Sequence, residues 1–567
     1  MKASHPLLVV VAHALALFCV PAAAFAGPRD DLLRLVPDDY TFCVVVQNLR
    51  GQGKSGGDGS WLKGFAESPL IKQMETSPEA KKVQAAIEAI FKDLGVSPEQ
   101  IRDDILGDAF IFAYRKAPPG QQDKDDGLIL VHARDDKLLA RIVDRINELQ
   151  IKGGEIKAVE PVGKEVRHFR RVKAVETEKA DYYALSGHKL LFSGSEDLLK
   201  AMLAKLDRGD TAEPLLAKRM KALGVNDSPV AVLINPRAFD ADLAESAKTG
   251  KGSERAFLKE FGRYWNAVDG LAVSMNFSPA IEIALSINVR KEQLPDAAAR
   301  HFAEAGKMSP LWSRIPDDAL FAFVGRVHLE SLAAMFGAFL TQPDRGKVME
   351  AIGEATRAFS EMDDFGPIAR GLGPDVGIWV TRPDPADKTW VPQGMLAVKT
   401  ADNQDGKLAE KSAVRGLDFL ARLAVVSNKE LRVGTEKQGD VEVLYLTHQS
   451  AFPPGFRPCF TSKGGYILVA GSPQTIGRFE PPTAAATDAE EVPILRISVS
   501  GWRKYLKDHQ KELIEYIATA KKVEPEALKA QIDALMPLTE GLDRIEIVQR
   551  SAPGRVTVVL RFKETRK

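Results

Sequence analysis

The sequence predicts an α+β protein made of two tandem homologous repeats, each a mostly antiparallel sheet covered by helices, over residues 27–305 and 306–567. Three observations predict this fold class. Six segments recur in the same order in the two halves of the chain. Many strand-like runs are joined by short turns, so neighbouring strands are expected to be antiparallel. Regular β-α-β alternation is absent, which excludes a doubly wound parallel sheet.

The composition is that of a folded globular protein and excludes several other classes. Of the 567 residues, 45% are hydrophobic and 27% are charged, so the chain is neither disordered nor collagen-like. The 77 basic and 77 acidic residues leave no basic excess of the kind that a nucleic-acid surface requires. We therefore expect no nucleic-acid partner.

Residues 1–26 have the pattern of a secretory signal peptide. Met1-Lys2 supplies a positive start, Leu7–Val20 an apolar stretch, and Ala24-Phe25-Ala26 a small-x-small cleavage site. An uncleaved membrane anchor is the weaker alternative, because the apolar run falls short of the ~20 residues that a bilayer requires. No later stretch approaches that length, so we predict no membrane span in the mature chain. We predict an extracytoplasmic bacterial protein, periplasmic or secreted, that is cleaved near Ala26.

Two cysteines, Cys43 and Cys459, remain after that cleavage. An oxidising compartment permits a disulfide between them. Each also lies in an apolar strand-like run, where a free thiol acts as a small core hydrophobe. Both alternatives stay open, since spacing alone does not fix connectivity.

The duplication is visible as matching segments in the two halves. Each repeat opens with a Pro-Asp-Asp turn and an apolar strand, at Pro37-Asp38-Asp39 and at Pro316-Asp317-Asp318. Five further matches follow in the same order: Leu106-Gly107-Asp108 with Leu372-Gly373-Pro374-Asp375, Gly127–Ala133 with Gly394–Thr400, Ser186–Ser195 with Lys463–Ser472, Ser228–Leu233 with Val492–Ile497, and Val268–Asn288 with Leu542–Phe562. Each match is short, but their common order is hard to obtain by chance.

The first elements of a repeat follow from local patterns. In the Pro-Asp-Asp turn the proline fixes φ, and the aspartates are expected to satisfy local backbone donors. Ser77 with Pro78 predicts a capped helix that runs towards Leu94. Apolar residues at helical spacing predict a helix over Lys137–Leu149.

The later elements are predicted in the same way. Glycines 187 and 464–465 predict hairpin turns, and Ser195 and Ser472 are expected to cap the helices that follow. Strands are then predicted at 230–234 and 494–499, and closing hairpins turn at Pro279 and at Pro553-Gly554. The low-complexity segment Glu480–Val492 predicts a mobile loop.

The signal peptide, the Pro-Asp-Asp strand opening and the two-repeat layout together resemble bacterial secreted proteins grouped as a domain family of unknown function. The resemblance covers most of the mature chain. It implies architecture and location only, because its motifs are structural and carry no catalytic or binding residues.

Several segments approach a catalytic or ligand-binding motif without completing one. Gly53-Lys54-Ser55 follows a strand like a phosphate-binding loop, but Asn48 replaces the first glycine and more glycines follow where a helix is required. Ser193-Gly194-Ser195 lacks the flanking glycines of a nucleophile elbow. We interpret the first segment as a surface loop and Ser195 as a helix cap.

The remaining polar clusters also indicate no site. No two of the mature chain's histidines lie three to five residues apart, which excludes a local zinc motif. The adjacent aspartates suit turns better than a shared proton. Lys124 interrupts the closest approach to a calcium loop, Gln121–Gly127. We therefore predict no catalytic, cofactor-binding or metal-ligating residue.

We expect a non-enzymatic, exported protein that binds a ligand or fills an envelope role, with the groove between the repeats as the default ligand site. Two alternatives stay open. One is an extracytoplasmic hydrolase whose residues come from distant positions, since distant triads leave no local trace. The other is a surface or assembly component that pairs through exposed sheet edges.

Overall fold

The computed structural model describes residues 27–50, 78–117, 120–121, 125–163, 165–209, 212–277, 280–360, 365–387 and 389–565. The predicted signal peptide, its cleavage site at Ala26, the Ser77 cap and the Pro279 turn lie outside these residues. The chain divides into two compact units, which we call unit 1 (up to residue 245, and 268–289) and unit 2 (246–267 and 290–567). The predicted repeat boundary at 305 rests on sequence matches and stays a prediction.

Unit 1 contains a continuous antiparallel sheet. Its strands are β1 Phe42–Gln47, β2 Ala109–Arg115, β3 Asp126–His132, β4 Ile156–Val162, β5 His168–Lys173, β6 Asp181–Ser186, β7 Lys189–Ser193, β8 Val230–Ile234, β9 Val268–Asn276 and β10 Ile281–Val289. Hydrogen bonds place them in the order β4-β5-β6-β7-β3-β2-β1-β8-β9-β10.

The helices of unit 1 lie on both faces of this sheet. They are α1 Pro28–Leu33, α2 Pro78–Leu94, α3 Asp136–Lys152, α4 Glu196–Arg208, α5 Leu215–Leu223 and α6 Asp240–Thr249, the last of which contains the division between the units. One core joins α1, α4 and α5 to strand residues such as Cys43, Val45 and Ile111. A smaller core joins α3 to Val46 and Phe110 on the opposite face, since successive side chains of a strand point to opposite faces.

Unit 2 contains a second antiparallel sheet. Its strands are β12 Phe321–Arg326, β13 Leu372–Thr381, β14 Gln393–Thr400, β15 Leu431–Gln438, β16 Val441–His448, β17 Cys459–Lys463, β18 Tyr466–Ala470, β20 Glu491–Ser498, β21 Leu542–Ala552 and β22 Arg555–Glu564, while β11 Lys307–Met308 and β19 Thr487–Asp488 form a small separate pair. The sheet order is β15-β16-β17-β18-β14-β13-β12-β20-β21-β22. Taken strand by strand along the chain, this is the order found in unit 1.

The helices of unit 2 are α7 Gly252–Ala267, α8 Asp296–Ala305, α9 Leu329–Ala338, α10 Gln342–Ser360, α11 Gly366–Gly371, α12 Gln404–Ser427, α13 Pro473–Arg478, α14 Val499–Lys521 and α15 Pro525–Leu535. The core of the unit lies on one face of the sheet, where Val324, Trp379 and Met395 pack with Leu311 and Ile476. Helices α9, α11 and α12 contact β13.

These elements confirm the α+β class and most of the local predictions. The predicted helix over Lys137–Leu149 is present as α3, and the turn glycines 187, 464 and 465 have φ of 55°, 58° and 75°. The expected loop Glu480–Val492 is wrong in part, because Thr487–Asp488 pairs with Lys307–Met308 and Glu491 begins β20. Pairing across the unit with a segment far away in sequence was not visible in the local composition.

Candidate functional site

The loop that resembles a phosphate-binding loop is described only at its start. Asn48 has a left-handed φ of 53°, and Leu49 is buried. Arg50 forms an ion pair with Asp108 and donates a 3.3 Å hydrogen bond to the carbonyl oxygen of Asp103. Gly53, Lys54 and Ser55 lie outside the described residues, so the interpretation as a surface loop stays a prediction.

The two serines that follow a strand are helix caps, as predicted. Ser195 Oγ accepts a 3.3 Å hydrogen bond from the backbone N–H of Leu198, and Ser472 Oγ accepts one of the same length from Thr475. Ser472 Oγ also donates to Gln393 Oε1 at 2.9 Å. Both hydroxyls are therefore used in structural hydrogen bonds.

Three histidines lie close to carboxylates in the described parts of the chain. The separations are 3.3 Å for His168–Glu196, 3.5 Å for His448–Glu430 and 3.7 Å for His132–Asp108. His448, the last residue of β16, also accepts backbone hydrogen bonds at Nδ1 from Ser450 and Ala451, so this nitrogen holds the segment that follows the strand. Burial lowers the pKa of His132, so its imidazole is neutral at physiological pH.

Cys43 and Cys459 are free thiols in the cores of different units. Burial raises the pKa of Cys459 to about 12 and that of Cys43 still further above its ordinary value. Cys43 and Cys459 therefore act as small core hydrophobes, and no disulfide joins them.

The Pro-Asp-Asp turns differ from the prediction. Instead of satisfying local backbone donors, Asp39 pairs with Arg115 at 3.4 Å, Asp318 pairs with Arg382, and Asp317 pairs with Arg496 at 3.0 Å. These arginines lie far away in sequence, on or beside neighbouring strands. The turns therefore fasten the start of β1 and of β12 to the sheet.

Unit 1 presents an apolar surface on the face of its sheet opposite Cys43 and Val45. It consists of half-buried or exposed side chains from β1, β2, β8, β9 and β10, which we call the open face of unit 1: Phe42, Tyr114, Ile234, Leu271, Val273, Ile283, Leu285 and Ile287. Leu285 is 43% exposed, and Val273, directly opposite it, is 37% exposed. A solvated face of an antiparallel sheet ordinarily carries polar side chains, so this surface departs from the usual pattern.

Aromatic rings lie at the β1–β2 margin of the open face of unit 1. The ring centroids of Phe42 and Tyr114 are 5.3 Å apart, and Phe42 also contacts Phe112 at 5.7 Å. The Tyr114 hydroxyl donates a 2.6 Å hydrogen bond to Asp125. Burial, together with this hydrogen bond to a carboxylate, raises the pKa of Tyr114 to about 12, while the bond lowers the pKa of Asp125. The hydrogen bond to Asp125 therefore fixes the position of the Tyr114 ring.

Unit 2 has a corresponding surface on the face opposite Val324 and Trp379. The open face of unit 2 consists of half-buried or exposed side chains from β12, β13, β20, β21 and β22: Phe321, Phe323, Ile378, Val380, Leu495, Ile497, Ile545, Ile547, Leu560 and Phe562. Phe323 and Ile378 face each other across two strands and are 41% and 43% exposed. Isolated exposed apolar residues are ordinary, but a contiguous apolar surface marks an interaction site.

The core face of unit 2 contains a cleft of about 700 Å³, with Trp379, Phe479 and Tyr505 at its base. Its rim consists of ion pairs: Arg314–Glu480 at 3.4 Å, Arg382–Asp318, and Arg478, which pairs with Asp384 at 3.5 Å and with Asp387 at 2.6 Å. The ring of His509, which also lines the cleft, contacts Tyr505 in a tilted arrangement with ring centroids 5.3 Å apart. The three histidine–carboxylate pairs described above involve residues outside the lining of this cleft.

Among the described residues, no group of three or more His, Cys, Asp or Glu side chains is arranged to hold a metal ion. No helix in the same part of the chain combines the length and apolar composition of a membrane span.

No match to a known protein was found. No family model matches the chain, and neither a curated protein nor a solved structure shows significant similarity to it. The resemblance to the family of bacterial secreted proteins therefore stays a prediction, and arguments about function rest on the site itself.

The sequence motifs did not locate the open faces. The signal was present as uninterrupted apolar runs, Phe42–Val46 and Phe321–Val324, which indicate a buried strand by periodicity alone. Only the structure shows that Phe42 lies outside the smaller core that contains Val46 on the same side of β1, and that Phe321 and Phe323 lie opposite the core face of β12.

Proposed function

We propose that this protein is an exported, non-catalytic binding protein whose two open faces hold long-chain apolar ligands, such as the acyl chains of lipids. The observation that carries the proposal is the apolar character of outward-facing strand positions in both units, with Phe323, Ile378 and Leu285 each more than two-fifths exposed. An exposed apolar surface costs free energy in water, and this cost is recovered when a ligand covers it.

The chemistry of the open faces favours an acyl chain over a peptide. The backbone groups of the strands that form the open faces are hydrogen-bonded to neighbouring strands. Their side chains are almost all aliphatic or phenyl groups, which offer no hydrogen bond to an occupant. A peptide would have to leave its own backbone groups unpaired against such a surface, at a cost that a hydrocarbon chain does not incur.

The strand orders of the two sheets support a second part of the proposal, an origin by internal duplication. Both sheets run through ten equivalent strands in the same order, and the six matching sequence segments fall on equivalent strands and turns. A duplicated ligand-binding unit would give each copy its own ligand surface. Export, the hydrolase alternative, a groove between the repeats and pairing through sheet edges stay predictions.

The contribution of one side chain sets the size of the expected effect. A phenylalanine that buries ~200 Å² when covered has about 80 Å² left to cover at 41% exposure. At ~25 cal/mol per Å², covering it contributes about 2 kcal/mol, or roughly a thirtyfold change in Kd. A charge at this position would add an unfavourable desolvation to that loss.

Fluorescence enhancement of cis-parinaric acid, a probe with one long apolar chain, tests the proposal on the full-length chain. We expect saturable binding, weakened at least thirtyfold at unit 2 by Phe323→Glu and at unit 1 by Leu285→Glu. Phe336→Glu in α9 and Val175→Glu in unit 1 are matched controls, since these residues are 67% and 53% exposed but lie outside the open faces. Equal binding by the open-face and control variants, or no saturable binding by the wild type, would refute the proposal.

A further inference from the structure

We infer that strand β15 is the pairing edge of a symmetric dimer, in which β15 of one copy lies antiparallel to β15 of a second copy. The inference concerns one edge of the unit 2 sheet and does not depend on ligand binding at the open faces. It assigns a definite strand and a definite partner to pairing through an exposed sheet edge.

The backbone of β15 has an open side. Among the described residues, β15 pairs with β16 alone. Leu446 of β16 donates its backbone N–H to Pro458, which directly precedes β17, and Val433 lies opposite Leu446. Because the backbone groups of successive residues point to alternate sides of a strand, Val433, Thr435 and Lys437 direct their N–H and C=O groups away from β16. These outward groups can form a ladder with another strand.

The first strand in the sheet of unit 1, β4, is protected in two ways that β15 lacks. Pro161 lies within β4 and has no N–H to donate, and the register of β4 shifts between Ile156 and Ala158. Prolines and bulges keep an edge strand from pairing with another chain. The eight residues of β15 include no proline and keep one register along β16. Strand β15 is therefore regular enough to pair along its whole length.

A two-fold axis at Gly434 brings two β15 strands into a complementary register. Antiparallel strands related by this axis place Val433 of one copy opposite Thr435 of the other. Both residues direct their backbone groups outward, so each such pair exchanges two hydrogen bonds, as an antiparallel ladder requires. Gly434 then lies opposite its own copy, where no side chain separates the two strands.

The charges of β15 match in this register. Arg432 of each copy lies opposite Glu436 of the other, on the same side of the paired strands, and Lys437 lies opposite Leu431. Arg432 is exposed. Glu436 is 29% exposed and also pairs with Arg457 at 2.8 Å, so its carboxylate would lie between two guanidinium groups. The dimer therefore gains two ion pairs that the single chain does not have.

Other registers match less well. An axis at Val433 sets Glu430 opposite Glu436. An axis at Thr435 leaves Arg432 opposite an uncharged residue. Opposite charges that face each other across two strands stabilise the pair, and like charges destabilise it. This self-complementarity favours a second copy over an unrelated peptide, which would have to supply an acid and a base at the same spacing.

Sedimentation velocity of the full-length chain, from micromolar to millimolar concentrations, tests the inference. Pairing of two eight-residue strands is a small contact beside a standard interface of ~1,600 Å², so we expect a weak dimer that forms as the concentration rises. Arg432→Glu should raise the Kd of the dimer about tenfold, because two attractive charge pairs become repulsive. Thr435→Pro removes N–H groups that face the second copy and none that face β16, so this variant should stay monomeric.

Two matched controls separate the pairing edge from a general effect of charge. Arg432→Lys keeps the charge of β15. Arg170→Glu makes the same charge reversal at an exposed arginine of β5, which has a paired strand on each side. Both controls should dimerise like the wild type.

The inference is overturned if the wild type stays monomeric at every concentration, or if either Arg432→Glu or Thr435→Pro dimerises as the wild type does. It is also overturned if Phe323→Glu abolishes the dimer, because the contact would then lie at an open face. Binding of cis-parinaric acid should be unaffected by Arg432→Glu, so the two proposals fail separately.

Discussion

Replacing Glu491 with glutamine should make unit 2 less stable at neutral pH, and the loss should shrink as the pH falls towards 2. Glu491 begins β20, and its carboxylate accepts hydrogen bonds from Arg561 at 2.6 and 2.8 Å and from Arg550 at 2.9 Å. These arginines lie on β22 and β21, so one side chain fastens three neighbouring strands together. The Arg561 hydrogen bonds, with those of Arg550, lower the pKa of Glu491 from its ordinary 4.5 to about 2.

The size of the effect follows from this pKa. A fall from 4.5 to about 2 corresponds to about 3 kcal/mol of folding free energy at ~1.4 kcal/mol for each pH unit. Because 36% of the side chain is exposed, solvent screening reduces this, and we expect about 1.5 kcal/mol. The pKa is depressed in the folded state, so this stability is fully present above pH 4.5 and is lost as the pH falls towards 2.

Urea unfolding followed by tryptophan fluorescence measures the difference between wild type and Glu491→Gln. The wild type should be more stable by about 1.5 kcal/mol at pH 7, and the difference should shrink to about half or less at pH 3. Glu490→Gln is the matched control, since Glu490 is the adjacent exposed glutamate. Identical urea midpoints at pH 7, or a difference that does not change with pH, would show that the arginine contacts do not stabilise the fold as argued.

Two further predictions concern the cores and helix α12. In a variant with Cys19 replaced by serine, Ellman's reagent should label neither Cys43 nor Cys459 in the folded protein and should label both after denaturation. The reason is that both thiols are buried and have raised pKa values. Rapid labelling of either thiol in the native state would contradict this burial. Gly406→Ala should lower stability by about 1–3 kcal/mol, because the new Cβ would collide with the carbonyl group of Ala401. Gly346→Ala in α10, where a Cβ meets no atom within 4 Å, should instead raise stability by about 0.5–1 kcal/mol; equal urea midpoints for the two variants would refute the prediction.

The sequence predicts those parts of this fold that depend on short segments. Ser195 and Ser472 are caps because the hydroxyl of a serine before a helix can accept a hydrogen bond from the backbone N–H three residues later. Gly187 lies in a hairpin turn because glycine adopts the positive φ that the turn requires. These interactions involve neighbours in the chain, so their signal is local. The α+β class follows from the same signals added together.

The features that require distant partners were not predictable in this way. Asp39 pairs with Arg115 on β2, and Asp318 pairs with Arg382, directly after β13. Nothing near the turns in sequence indicates those partners. The apolar runs of β1 and β12 look identical whether one or both faces are covered. In α12, Phe419 and Leu423 are about half exposed, whereas Ser412 and Gly416 on the same side of the helix are buried. Helical spacing alone does not separate these two pairs.

The division of the chain into its two units has a consequence for the order in which the protein is made. The last two strands of unit 1, β9 and β10, follow α7 in the sequence, although α7 belongs to unit 2. A ribosome releases the N-terminus first, so β8 is without its partner β9 until residue 276 has emerged. Cutting the chain at any single bond between 246 and 289 leaves at least one unit lacking a piece of itself. To express either unit alone, its two separate segments would have to be joined by a new connection.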